Sequence, residues 1–489
     1  MRSPKSLSKS VKANATFLTE CSFGVAHDRL VQVITDVQPF EPYWEELSVI
    51  DLSRKNLDSV ARLKEFLPRL DSLCLNTNQV SYLSGIPSTV RSLSVASNAL
   101  TSVASFNHLR NLENLDISNN QLDSLRQLEC LRHLRELRAD GNKVTSVDGL
   151  QQLDGLVKLS LEGNAIHDID LTECRWTRLE MLHLAKNRIE NINGLATLPS
   201  LVLLNLDKNC LGELDAHGVM PRLRILRVSG NRLAQLNAGS FPNLRTLYAD
   251  DNHLGNLVKA SRLTKLENLS LRNQRGRLLN LSVRDVRDVK RLYLSGNPLK
   301  AGFMDEPCYN LTYLELAGCR LAALPANLAK LVPNLRNLNL NYNFVEDVRP
   351  LHGLSRLKKL TMVGSRLKTT KELIRVLRGM PEAEVLDFRM NPCTLPWYVP
   401  LLYKNKSVPG GPDGEAGDAR GEKGWQEVDG EFRRGLPVEV YAHRLAYRGH
   451  IMRACPGLRS LDGVGVTEKE RAKAGELLAT MGLRSSVGA

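Results

Sequence analysis

The sequence predicts an α/β solenoid, a fold made by stacking one small unit many times over. Three observations carry this reading. Leucines recur with a period of roughly 22 residues, an asparagine returns at a fixed place after each leucine pair, and the apolar residues are overwhelmingly aliphatic. Of the 489 residues, 42% are hydrophobic but only 5% are aromatic. Such a chain cannot anchor a core on a few large rings, so it must repeat a small aliphatic one.

The template Leu-x-x-Leu-x-Leu-x-x-Asn-x-Leu first fits clearly at Leu70, Leu73, Leu75, Asn78 and Val80, with a degenerate copy between Leu47 and Leu57. The Asn slot then falls on Asn98, Asn120, Asn142, Asn164, Asn187, Asn209, Asn231, Asn252, Asn297, Asn343 and Asn391. Lys55, Gln274, Cys319 and Ser365 occupy it where units break the pattern. The paired leucines lie on one side of a short strand, and the Asn turns inward where the chain bends, to bond backbone groups of neighbouring turns. The expected architecture is a leucine-rich-repeat horseshoe of about 16 repeats over residues 47–403, with a parallel β-sheet on its concave side. No unit buries its leucines alone, so stability comes from nearest neighbours. Short 3₁₀ or helical turns such as Ile189 to Leu198 should cross the convex side. Two longer spacers, Pro325 to Val332 and Thr369 to Met380, carry apolar residues at helical spacing (Leu373, Ile374, Leu377, Met380).

A solenoid exposes its core at both ends and needs caps. Residues 1–15 are basic and Ser-rich and are expected to be disordered; residues 16–46 supply an N-terminal cap in which Phe40, Tyr43 and Trp44 cover the first repeat. Residues 404–437 are rich in Gly and charge and read as a flexible insertion. Residues 438–489 form a C-terminal helical cap: a helix over Val438 to Ala454, a last strand ending in Leu461 and Asp462, and a final helix to about Met481 opened by a capping box of Thr467 and Glu470.

Several function classes are disfavoured. The nine cysteines are scattered, which fits reduced thiols in cytosol or nucleus. There is no apolar signal region and no run of eighteen apolar residues, so no membrane partner is expected. The net charge is +13, but Lys and Arg are interleaved with Asp and Glu, and no direct nucleic-acid binding is expected. His443, His450 and Cys455 lack a fourth ligand, and phosphate-loop, dinucleotide, hydrolase and zinc-protease motifs are missing. No enzyme, metal or cofactor is anticipated.

Strand alternation gives the binding face. The position after each central leucine points outward: His183, Asn205, Arg227, Tyr248, Ser270, Tyr293, Glu315, Asn339, Thr361 and Asp387. A neighbouring track adds Asp207, Ser229, Asp250, Arg272, Ser295 and Asn341, and Tyr313 and Tyr342 lie close by. The candidate protein-binding residues are Arg227, Tyr248, Asp250, Arg272, Tyr293, Glu315 and Asn339, a set able to grip an extended peptide bearing apolar and charged groups. The unit at Leu269 to Gly276 is irregular, with Gln274 in the Asn slot.

Some strings are more particular than the repeat: Asp116-Ile-Ser-Asn-Asn, Leu134-Arg-Glu-Leu-Arg-Ala-Asp, Phe241-Pro-Asn-Leu-Arg-Thr-Leu-Tyr, Leu269-Ser-Leu-Arg-Asn-Gln, Lys290-Arg-Leu-Tyr-Leu-Ser-Gly-Asn-Pro, Tyr313-Leu-Glu-Leu-Ala-Gly-Cys, Asn337-Leu-Asn-Leu-Asn-Tyr-Asn-Phe and Phe388-Arg-Met-Asn-Pro. With them the chain, over roughly residues 25 to 400, resembles the repeat domain of the fungal spindle-pole-body scaffold of the septation initiation and mitotic exit networks, a family related to animal centriolin. The resemblance implies a non-catalytic hub at the spindle pole body, bound to a pole-body anchor and recruiting a small-GTPase module, its GTPase-activating complex and kinases. In that family a long disordered N-terminal region carries kinase-adaptor docking, and little of this sequence corresponds to it. A different class, a regulatory subunit of a protein phosphatase, shares the period and the cap but is shorter and more acidic. A nuclear leucine-rich-repeat adaptor, as in RNA processing, is a third reading.

Overall fold

The computed structural model describes residues 29–276, 278–300, 302–399 and 419–486, excepting the side chains of 419–423 and 482–486. The expected disorder at 1–15, the start of the N-terminal cap and the first part of the insertion lie outside the described residues. The chain divides into two compact units, residues 1–233 with 240–243, and residues 234–239 with 244–489. Among the described residues, sixteen repeat strands of three residues run from Val49–Asp51 to Val385–Asp387, matching the number expected from the period.

In the first unit the strands pair in parallel, each central apolar residue opposite the next. Ile50 faces Leu73, Leu73 faces Leu93, Leu159 faces Leu182 and Leu182 faces Leu204. The middle residue of every such strand is buried while its neighbours are more open. Each buried leucine is worth about 2 kcal/mol. After each strand the chain must turn back sharply, and it does so through one left-handed residue immediately before the Asn slot: Thr77, Ser97, Asn119, Gly141, Gly163, Lys186, Lys208 and Gly230 all have φ near +60°. Glycine adopts this freely, and the other residues there carry a local cost of about 1 kcal/mol.

The Asn that follows repays that turn. Asn231 donates from Nδ2 to the carbonyls of Leu206 (2.9 Å) and Val228 (2.9 Å) and accepts from the Leu211 N–H at Oδ1 (3.1 Å). It is buried, so it satisfies three backbone groups that water cannot reach. On the opposite side, Ile189 to Leu198 forms a strand at Asn191–Asn193 and a 3₁₀ turn at Leu195–Thr197. At the N-terminal end, residues 29–37 are helical and bury Leu30, Val33 and Ile34. Of the three aromatics expected to cover the first repeat, only Trp44 packs there, edge-on to Phe66 at 6.4 Å. Phe40 is 95% and Tyr43 62% exposed.

In the second unit Thr246–Tyr248, Asn268–Ser270, Arg291–Tyr293, Tyr313–Glu315, Asn337–Asn339, Lys359–Thr361 and Val385–Asp387 pair in the same parallel register. The two long spacers are helical at Leu328–Leu331 and Thr370–Leu377. The latter buries Leu373, Val376, Leu377 and the following Met380, with Ile374 at the edge of the contact and not within it. Cap strand Ser460–Leu461 extends the sheet in parallel, and Val464–Gly465 closes it antiparallel. Within the insertion expected to be flexible, the described part is a helix over Ala419–Arg434, and helices Val438–Ala454 and Glu468–Ser486 follow it. Its glycines concealed a helix whose stabilising partners lie outside its own sequence: Trp425 lies under the Arg389 guanidinium at 4.4 Å, and Asp429 pairs with Arg444 at 2.7 Å. Half of the capping box forms. Thr467 Oγ1 accepts the Glu470 N–H at 3.2 Å, but the Glu470 carboxylate turns to Arg448.

Candidate functional site

The outward face of the second unit's sheet places two columns of side chains side by side. In the column next to the central leucines stand Tyr248, Ser270, Tyr293, Glu315, Asn339, Thr361 and Asp387. Two residues further on stand Asp250, Arg272, Ser295, Asn341 and Arg389. The second column has a structural duty. Asp250 Oδ1 accepts the Arg272 N–H at 2.7 Å, Ser295 Oγ accepts the Ala317 N–H at 2.9 Å, and Asn341 Oδ1 accepts the Val363 N–H at 2.8 Å. Short polar side chains therefore staple each repeat to the next at the edge of the strand.

Within this frame the structure joins Asp250, Arg272, Tyr293 and Glu315 into one network. Arg272 makes a two-pronged bond to Glu315, Nε to Oε1 at 2.8 Å and Nη2 to Oε2 at 3.0 Å, and Nη1 reaches Asp250 Oδ2 at 3.4 Å. Asp250 also accepts the Ser270 hydroxyl at 2.6 Å. The Arg272 guanidinium lies 4.5 Å from the centre of the Tyr293 ring, and that ring packs against Tyr313 at 4.8 Å. Tyr313 donates its hydroxyl to Glu315 Oε2 at 3.3 Å. Asp250 and Glu315 are buried, and the Arg272 side chain is only 14% exposed.

Burial and charge set the electrostatics. Burial pushes the Asp250 carboxyl up, with Ser270 and Arg272 pulling the other way. Burial opposes the charge on Arg272, but Glu315 and Asp250 more than offset it, so the guanidinium is held above its ordinary range. Burial also raises the hydroxyls of Tyr293 and Tyr313. The network is thus held together by ion pairs and hydrogen bonds among its own members. Asp250 and Glu315 orient Arg272 and leave no free carboxylate to a visitor. Tyr248, Tyr293, Tyr313 and Asn339 are half-buried and present the accessible edges. Asn339 Oδ1 accepts from Thr361 Oγ1 at 3.2 Å. Arg227 belongs to the first unit, where its Nε bonds Asp207 Oδ2 at 2.7 Å.

The irregular unit keeps its function. Gln274 Nε2 donates to the Ala249 and Arg272 carbonyls at 2.9 and 3.0 Å, and Oε1 accepts from Leu254 N–H at 2.9 Å. One extra methylene does not prevent Gln from doing the work of Asn. Cys319, in the same slot, bonds only weakly to the Leu294 carbonyl through sulfur, at 3.3 Å.

A second polar cluster, not evident from the spacing of the repeat, lies in the C-terminal cap. Arg444 bonds Asp429, and Arg448 bonds Glu470 at 2.5 and 3.0 Å and the Leu461 carbonyl at 2.8 Å. Asp462 is fully buried, accepts the Phe388 N–H at 2.7 Å, and is raised by burial and by the Asp387 charge to about 6. Two arginines four apart on the buried face of Val438–Ala454 were the available signal. Among the described residues no group of His, Cys, Asp and Glu is arranged to hold a metal ion, and no helix is long and apolar enough to cross a membrane.

Comparison with known proteins agrees with this geometry. Residues 88–144 match the leucine rich repeat family. The septation initiation network scaffold protein cdc11 of Schizosaccharomyces pombe is 40% identical over 470 residues, covering 94% of this chain and 45% of that protein. The chain therefore spans less than half of that relative's length. Protein NUD1 of Saccharomyces cerevisiae is 31% identical over 100 residues, 19% of this chain and 12% of that protein. Among solved structures, a Leptospira interrogans leucine-rich-repeat protein superposes with a TM-score of 0.56 at 23% identity, covering 70% of this chain and 95% of that one. An internalin from Listeria monocytogenes gives 0.52 at 17%, covering 74% and 94%. These two show the fold alone. By sequence and fold the chain is a leucine-rich-repeat protein, similar over nearly its whole length to a septation initiation network scaffold.

Proposed function

We propose that this protein is a non-catalytic scaffold of the septation initiation network and that it binds partner proteins through the open sheet face of its second unit. The relationship to cdc11 over 94% of the chain carries the network assignment and favours it over a phosphatase regulator or a nuclear adaptor. In this reading the partners are a pole-body anchor and the small-GTPase module with its GTPase-activating complex, with kinases reached through them, and the site of action is the spindle pole body. The sheet face supports a binding role on physical grounds. Tyr248, Tyr293 and Tyr313 are half-buried aromatic surfaces around an arginine already fixed by Glu315 and Asp250. Rigid aromatic and arginine groups lose little freedom on binding, which is why they serve as anchors. An extended segment laid across the strands would meet a tyrosine edge on several repeats and the Asn339 amide beyond them.

A fluorescent fusion followed through mitosis tests the assignment. The wild-type protein should concentrate at the spindle poles, and the Tyr248→Ala/Tyr293→Ala variant should remain folded but disperse. A wild-type fusion spread evenly through the cell would contradict the scaffold reading; a variant that still localises would move the binding surface away from the sheet.

A further inference from the structure

The C-terminal cap carries an open cleft. It has a volume of about 660 Å³ and lies among the end of helix Ala419–Arg434, helix Val438–Ala454, strand Val464–Gly465 and helix Glu468–Ser486. Its apolar lining comes from Leu436, Tyr441, Leu445 and Val464. Val438, at its edge, is 84% exposed. Arg433, Arg434, Lys469 and Lys473 line it as well, and all four are exposed.

The charge on these walls is not balanced locally. The deeper Arg444 and Arg448 are neutralised by Asp429 and Glu470, and Glu468 turns to Arg471. Glu470 is the sole acidic residue lining the cleft, and its two oxygens are both engaged by Arg448. Arg434 bonds a backbone carbonyl, that of Gly430, and Lys473 rests on the Tyr441 ring, with Nζ 3.2 Å from its hydroxyl. Among the described residues none of the four wall cations is paired with a carboxylate. Like charges gathered around one concavity repel one another, and an anion entering it relieves that repulsion. The exposed apolar edge beside them is a poor surface to leave to water.

We infer that this cleft is a docking site for an acidic segment of a partner protein, a stretch of Asp and Glu carrying one apolar side chain. The apolar residue seats against Leu436, Val438 and Val464, and the flanking carboxylates meet Arg433, Arg434, Lys469 and Lys473. This surface lies in the cap and does not depend on the sheet-face reading above.

Fluorescence anisotropy with the full chain and a fluorescein-labelled peptide of Asp and Glu around one central Leu tests the inference. The peptide should bind and should weaken as salt is raised from about 50 to about 300 mM. Lys469→Glu/Lys473→Glu, which alters exposed side chains and should leave the thermal midpoint nearly unchanged, should weaken binding by at least ~10-fold. Lys186→Glu, an exposed charge in the first unit, should leave it unchanged. A peptide with Asn and Gln in place of the acids should fail to bind, and replacing its Leu by Gly should cost several-fold. Equal binding by the wild type and Lys469→Glu/Lys473→Glu, equal loss in Lys186→Glu, or binding of the neutral peptide as tightly as the acidic one would each overturn the proposal.

Discussion

The recurring Asn slot of the repeat stack and the C-terminal cap bury polar groups in opposite ways. In that slot the buried polar residue is neutral, an Asn or Gln amide that bonds backbone groups of its own and adjacent turns, as at Asn231 and Gln274, while the charged trio of Asp250, Arg272 and Glu315 occupies the sheet face. In the cap it is charged: Arg444 with Asp429, Arg448 with Glu470, and Asp462 beneath them. A neutral amide can be repeated at every turn because its partners are backbone groups that every turn supplies. A buried ion pair costs much desolvation and works only where one geometry is fixed. The stack gains length from its solution, and the cap gains a single defined end.

That contrast orders the expected effects of substitution. Arg448→Met leaves the half-buried Glu470 carboxylate and the Leu461 carbonyl without their partner, and should destabilise the cap by about 3 kcal/mol, read as a drop in the chemical-denaturation midpoint. Replacing both Arg448 and Glu470 with apolar residues should recover much of the loss. If the single variant cost no more than a surface change, the cap would not rest on its ion pairs.

The pH response should come from the cap too. Asp462 holds its proton up to about pH 6 when folded, against an ordinary value of 3.8. The folded state therefore binds this proton more tightly than the unfolded one, and its stabilising contribution is present below pH 3.8 and lost as pH rises through about 6. Asp462→Asn should flatten this part of the stability profile between those limits, measured as the difference from wild type. An unaltered difference across that window would place the titration elsewhere.

In the stack, Asn231→Ala removes three bonds to buried backbone and should cost about 1–3 kcal/mol. Gln274→Asn should change stability by less than about 1 kcal/mol, since either amide can serve the slot. A large loss there would mean that the irregular unit needs its longer side chain for more than the ladder.

Much of the fold was legible because the repeat restates its rules. The Asn slot, the strand register and the outward positions follow from spacing, and so did the strand count. The left-handed residue before each Asn could not be read so easily, since Thr77, Lys186 and Lys208 are not turn formers and adopt φ near +60° only because the stack forces them. At the sheet face, spacing gave the direction of Arg272 and Glu315 but not their union, for they lie two repeats apart and meet through rotamers that no periodicity encodes. The helix Ala419–Arg434 was hidden for a related reason: its composition is that of a loop, and the contacts that hold it, to Arg389 of the last repeat and Arg444 of the next helix, lie outside its own sequence.

We propose recruitment of septation-network proteins by the sheet face of the second unit. Its most direct test is affinity purification of the chain from dividing fungal cells, wild type beside Tyr248→Ala/Tyr293→Ala, with bound proteins identified by mass spectrometry. The wild type should recover network components, and the variant, equally folded, should lose most of them. Recovery of a phosphatase catalytic subunit without those components, or undiminished recovery by the variant, would contradict it.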